Sequence, residues 1–185
     1  MIHEKFIANG AGVLIMEVTE SLSDLEVRLS NFEIYKSAYD NLKTVEIIYD
    51  KGGKPALKCN PYHISLSHSG KWIAVMAHPT RKVGIDIECP TDKFEKLYKR
   101  FLSETEQEEI YHDKDLRKIQ IAWSAKEALF KIIGNEAIDF ANQLRIFAFN
   151  IKSSNTIKAE HIPTSTIYHL QYKIDNQFIL VYSIA

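Results

Sequence analysis

Residues 62–88 read YHISLSHSGKWIAVMAHPTRKVGIDIE and hold three strand-like runs in close succession. The runs at 62–67, 72–77 and 83–88 are rich in β-branched and aromatic residues, and Ser69-Gly70 supplies a hairpin turn between the first two. Residues two apart on a strand project to the same face. Asp86 and Glu88 therefore point together, while Ile85 and Ile87 go to the core. An antiparallel sheet ending in a pair of carboxylates is the first expectation.

Outward from this block, residues 1–18 (MIHEKFIANGAGVLIMEV) lack a charged, then apolar, then small cleavage pattern and read as a strand, not a signal peptide. Ser23 with Glu26 makes a capping box for a short helix, followed by a helical stretch at 31–42; a strand at 45–49 and a turn at 51–55 come next. Beyond residue 88, Ser103 with Glu106 makes a second capping box, and a long helix is expected over 116–133. The remainder returns to strands, ending in 178–184. Tyr62-His63-Ile64 and Trp72-Ile73-Ala74-Val75 are matched, at one constant offset, by Tyr168-His169-Leu170 and Phe178-Ile179-Leu180-Val181. Either two amphipathic hairpins have converged, or an α/β unit is duplicated. Duplication would give two similar lobes about a pseudo-twofold, with a ligand cleft between them.

Composition narrows the function. With 185 residues, 45% hydrophobic and 25% charged, the chain is an ordinary globular one. No apolar run approaches the ~18 residues of a spanning helix, so no membrane is expected. Twenty-three basic against 24 acidic residues leave a net charge of −1, which argues against nucleic-acid binding. Cys59 and Cys89 stand far apart without a CxxC, so a reducing, cytoplasmic setting is expected.

Three local patterns could carry chemistry. Asp86 and Glu88 suit a hard divalent ion such as Mg²⁺, although a D-x-E at a strand end equally describes a solvated edge. In the long helix, Glu127 and Lys131 share a face with Trp123 one turn earlier; the alternative is an exposed ion pair. Ser67 and His68 stand where a strand runs into a turn. No HExxH occurs, Gly10-Ala11-Gly12 lacks the third glycine of a dinucleotide loop, and Pro55 stands where a P-loop needs Ser or Thr.

Taken in order and spacing, Lys54-Pro55, Ser65-Leu66-Ser67-His68-Ser69, Gly84-Ile85-Asp86-Ile87-Glu88, Arg100-Phe101-Leu102-Ser103 and Trp123-Ser124-x-Lys126-Glu127-Ala128-x-x-Lys131 resemble the 4′-phosphopantetheinyl transferase superfamily. The match is closest to its surfactin-synthetase-activating type, a single chain of two similar lobes. The resemblance implies an α/β (α+β) fold of two lobes of antiparallel sheet plus helices, divided as 1–90 and 91–185 with the active site between them. It implies transfer of the phosphopantetheine arm of coenzyme A to a serine of an apo acyl or peptidyl carrier protein, releasing adenosine 3′,5′-bisphosphate. Asp86, Glu88 and Glu127 would hold magnesium; Glu127 would be the base and Lys131 would reach the pyrophosphate. Lys54, Ser67 and His68 would meet coenzyme A, with Lys126 helping to orient the site.

The chain departs from the family in two places. Where members carry an arginine-rich helix for the 3′-phosphate, residues 31–39 have only Lys36, with Arg28 just before; after Lys131, Gly134-Asn135-Glu136-Ala137 replaces Gly-x-Gly-Leu. Two rival readings stay open: a relative that binds coenzyme A or a carrier without turnover, and a metal-dependent hydrolase of nucleotide pyrophosphates. Lys93, Lys96, Lys99 and Arg100 also form a basic face that would suit an acidic carrier, with Phe94, Leu97 and Phe101 as either its apolar anchor or the helix's own core stripe.

Overall fold

A computed structural model describes residues 2–17, 47–49, 55–57, 62–134, 137–151 and 156–185. The capping box at Ser23 and Glu26, the helix at 31–42 and Lys54 lie outside the described residues. The protein is a mixed α/β structure with two antiparallel sheets. The first holds β1 (Ile2–Ala8), β2 (Ala11–Glu17), β5 (His63–Ser69) and β6 (Trp72–His78) in the order β1-β2-β6-β5. The second holds β7 (Val83–Glu88), β8 (Leu144–Ile146), β9 (Thr156–His161), β10 (Thr166–Ile174) and β11 (Ile179–Ile184) in the order β7-β11-β10-β9-β8. A two-stranded ribbon pairs β3 (Ile47–Tyr49) with β4 (Pro55–Leu57). Helices α1 (Lys93–Leu97), α2 (Glu104–Ile110), α3 (Leu116–Ile133) and α4 (Phe140–Gln143) lie between β7 and β8 in the chain.

The N-terminal stretch, expected as one strand, is a hairpin. Asn9 and Gly10 turn it with φ of 49° and 87°, the left-handed pair that a two-residue Asn-Gly turn requires. The capping box at Ser103 forms both of its bonds: the Glu106 N–H donates to Ser103 Oγ at 3.3 Å and the Ser103 N–H to Glu106 Oε2 at 2.8 Å. The long helix runs over the expected residues and stops at Gly134, whose φ of 70° closes the last turn.

The sequence repeat is a structural repeat. Ser65 opposes Met76, Leu66 opposes Val75 and Ser67 opposes Ala74 in the β5–β6 hairpin. Gln171–Tyr182, Tyr172–Val181 and Lys173–Leu180 are the same pairs in the β10–β11 hairpin, at one constant offset. The register extends to the next strand. Gly12, Leu14 and Met16 of β2 oppose Ala77, Val75 and Ile73, just as Gly84, Asp86 and Glu88 of β7 oppose Ser183, Val181 and Ile179. The unit β2-β6-β5 therefore recurs as β7-β11-β10, but at these matched positions only the second copy carries carboxylates. Strand β7 lies within residues 1–90, yet it pairs with β11 in the second sheet.

Two cores follow from the alternation. Val83, Ile85 and Ile87 of β7 and Leu180 of β11 pack against Val13, Ile15, Trp72, Ala74 and Met76 of the first sheet. The other face of the second sheet, including Ile179 and Val181, packs against Ile119, Ala122, Ala125, Ala128 and Leu129 of α3. Helix and sheet approach closely at Gly84. A Cβ there would stand 2.0 Å from the Ala128 carbonyl oxygen, so no other residue fits without moving α3. Gly84→Ala should lower stability by about 1–3 kcal/mol or more, read as a reduced urea midpoint. An unchanged midpoint would mean that α3 has room to retreat.

Candidate active site

The open face of β7 meets one stripe of α3 and the end of β5. Asp86 is 5% exposed. Its Oδ1 accepts from Ser67 Oγ at 2.7 Å and from Lys131 Nζ at 2.9 Å, while its buried Oδ2 has no hydrogen-bond partner among the described residues. Glu88 is held at both oxygens. Its Oε2 accepts from Ser69 Oγ at 2.9 Å and Lys93 Nζ at 3.3 Å, and its Oε1 from Trp123 Nε1 at 3.3 Å. Trp123 is itself fixed by edge and tilted contacts with Phe94, Phe101 and Phe140 at centroid distances of 5.0–5.7 Å.

Glu127 and Lys131 project from α3 on the same side, as their four-residue spacing requires. Burial pushes the Glu127 carboxyl up from its ordinary 4.5 to about 7; Asp86 and Glu88 add to the rise and Lys131 opposes it. The three carboxylates thus share one field. Lys131 Nζ donates to Asp86 and to the Ile85 carbonyl at 2.8 Å, which leaves one of its three N–H groups uncommitted.

Three sequence expectations take a different form. Lys126 does not face the carboxylates. It is fully buried, and its ammonium meets Glu106 Oε2 and the carbonyls of Phe101, Phe140 and Leu144 at 2.7–2.8 Å. With four acceptors around three donors it has nothing left for a nucleotide. Burial draws the ammonium's pKa down and Glu106 opposes the fall. His68 is exposed and lies on the face of β5 opposite Ser67 and Ser69, apart from the carboxylates. Phe94 and Phe101 are buried in the helical core, so the apolar stripe behind the basic face is packing, not an anchor.

The set fits a hard divalent cation in its chemistry. All donors are carboxylate oxygens and the buried Asp86 Oδ2 lacks a partner among the described residues, while Lys131 already sets a positive charge against Asp86 Oδ1. Among the described residues, no three His, Cys, Asp or Glu side chains converge as a ready-made metal cage. Sequence reasoning names Ser69, Lys93 and Trp123 but gives none of them the role they share in the structure, holding Glu88. The Ser65, Ser67, Ser69 alternation was the available signal for the first.

A family model described as the 4′-phosphopantetheinyl transferase superfamily matches residues 82–182. The chain is 34% identical over 98 residues to 4′-phosphopantetheinyl transferase AcpT of Salmonella typhi, covering 50% of this chain and 51% of that one. It is 36% identical over 83 residues to 4′-phosphopantetheinyl transferase Sfp of Bacillus subtilis (strain 168), covering 43% and 37%. The chain thus spans about half the length, or less, of the curated relatives it matches.

Two outcomes test this geometry. Lys126→Met leaves Glu106 charged and buried without its cation, and should cost about 3–5 kcal/mol in denaturant unfolding; a loss below 1 kcal/mol would remove the buried pair from the account. The second concerns pH. Between 4.5 and about 7 the native state holds a proton on Glu127 that the unfolded chain has released. Stability should therefore fall as pH rises through that window, by up to about 3 kcal/mol. Glu127→Gln should flatten this part of the melting-temperature profile in metal-free buffer. A profile unaltered by that substitution would place the raised carboxyl elsewhere.

Proposed function

The chain belongs to the 4′-phosphopantetheinyl transferase superfamily, and from that premise we propose that it transfers the phosphopantetheine arm of coenzyme A to a serine of an apo acyl or peptidyl carrier protein. The observation that carries this reading is the meeting, on facing surfaces of β7 and α3, of a carboxylate oxygen without a partner, a carboxyl that titrates near neutrality and a lysine with a spare donor.

Asp86, Glu88 and Glu127 would hold magnesium, which when bound neutralises charge on the pyrophosphate. The chain's own residues account for the rest. Glu127 is suited to take the proton from the acceptor serine hydroxyl, because burial raises its carboxyl to about 7 and so makes it a stronger base than an ordinary carboxylate. The freed serine oxygen attacks the phosphorus that carries the pantetheine arm. The bond from that phosphorus to the bridging oxygen breaks, and adenosine 3′,5′-bisphosphate leaves with the electron pair. Lys131 turns its remaining N–H toward the pyrophosphate and offsets charge that grows on the leaving group. His68, exposed near the end of β5, and Lys54 would contact the nucleotide end of coenzyme A. Lys126 has no part in binding. Lys96, Lys99 and Arg100 are exposed beside the site and would face an acidic carrier, in the cytoplasmic setting where coenzyme A and apo carriers meet.

The test is to incubate the chain with coenzyme A, Mg²⁺ and an apo carrier protein, then weigh the carrier. A gain of one phosphopantetheine on its serine is expected. Glu127→Gln should slow the gain by on the order of 10²–10⁴-fold. Coenzyme A binding without any gain in carrier mass would instead identify a relative that binds without turnover, and near-normal rates in Glu127→Gln would remove that residue as base.

A further inference from the structure

Strands β5 and β7 stand at the edges of different sheets, and serine side chains take the place of a backbone ladder between them. The N–H groups of Ile85, Ile87 and Cys89 donate to Ser65 Oγ, Ser67 Oγ and Ser69 Oγ at 3.1, 3.2 and 3.0 Å. Each serine sits opposite the same place in the next strand, so one geometry is repeated three times. A hydroxyl that accepts a backbone N–H still has its own hydrogen to give. Ser67 gives it to Asp86 Oδ1 and Ser69 to Glu88 Oε2, at 2.7 and 2.9 Å. At the same step, Ser65 faces Gly84, which has no carboxylate to receive it.

We propose that Ser67 and Ser69 are positioning residues, the first fixing which oxygen of Asp86 is turned toward the site and the second fixing the orientation of the Glu88 carboxylate, while Ser65 only joins the sheets. Each bridge ties a carboxylate to the backbone of its own strand through two hydrogen bonds. Ser67 and Lys131 together occupy Asp86 Oδ1, which leaves Oδ2 as the oxygen free to meet a cation. Ser69 draws Glu88 Oε2 toward β5, against the pull of Trp123 on Oε1 from α3. Without its serine, each carboxylate could rotate about its last torsion and lose this presentation. The Ser67 hydrogen is committed to Asp86 and is not available to coenzyme A. The inference takes the metal assignment from the proposed function, but the orientation of the carboxylates does not depend on it.

Ser65→Ala, Ser67→Ala and Ser69→Ala separate the two roles, since all three remove one bond between strands and only two remove a bridge to a carboxylate. Three readouts are compared: melting temperature, side-chain carboxyl ¹³C resonances without metal, and Mg²⁺ affinity by calorimetry with coenzyme A present. All three variants should melt lower. Only Ser67→Ala should move the Asp86 carboxyl resonance, and only Ser69→Ala that of Glu88. Both should weaken Mg²⁺ by on the order of ten- to hundredfold, the range for groups that orient metal ligands. Ser65→Ala should keep parental Mg²⁺ affinity, and Ser69→Thr, which retains the hydroxyl, should restore it. Carboxyl resonances that stay in place in both variants overturn the proposal, as does an equal loss of Mg²⁺ affinity in Ser65→Ala. Shifted resonances in a parent protein that binds no Mg²⁺ support the positioning role and overturn the metal assignment.

Discussion

Helix α3 can lie on β7 only because Gly84 has no side chain. The Ala128 carbonyl occupies the space where a Cβ would be, at 2.0 Å. This contact sets the separation between helix and strand. Asp86 and Glu88 follow Gly84 on the same face of the strand, while Glu127 precedes Ala128 and Lys131 lies three residues beyond it. The close approach therefore brings two carboxylates of the strand up to the acid and the lysine of the helix. The ion pair between Lys131 and Asp86, and the upward push that Asp86 and Glu88 exert on Glu127, are consequences of it.

Two of the three lysines of α3, Lys126 and Lys131, show how rotation about a helix separates roles. Lys126 and Lys131 are five residues apart, which turns their side chains about 140° from each other at 100° per residue. One ammonium enters the core and joins α2, α4 and β8 through Glu106 and three carbonyls. Glu106 in turn accepts from the Ile146 N–H at 2.7 Å and closes the cap of α2. The other lysine stays at the open edge with a donor to spare. The buried pair holds the face of the helix that the site does not use, and so fixes the rotation of the face that it does.

The repeated register supplies the frame, and the side chains at a few matched positions give it one site. Strand β2 has the register of β7, with Gly12 where β7 has Gly84, but Leu14 and Met16 stand where β7 has Asp86 and Glu88. Both of those residues are buried. The serines of β5 likewise have Gln171 and Lys173 as counterparts in β10, so the ladder that bridges to carboxylates exists on one side of the seam alone.

Local patterning was enough to place the strands from 63 to 88, the capped helix α2 and the whole of α3, because alternation, caps and a C-terminal glycine are written in neighbouring residues. It also placed Asp86 with Glu88, and Glu127 with Lys131, since each pair shares one element and a fixed period. The hairpin at Asn9-Gly10 is legible in that dipeptide, although the apolar run on either side of it reads as a single strand. Tertiary structure decided what no period encodes. Lys126 and Glu127 are adjacent in the chain, and only the packing of α3 shows that one is enclosed by four acceptors while the other faces the carboxylates. The grip on Glu88 joins Ser69, Lys93 and Trp123 from three elements, so their partnership arises from the folded distance between them. The need for glycine at 84 has the same origin: its reason is a carbonyl 44 residues away, brought there by the burial of α3 against the sheet.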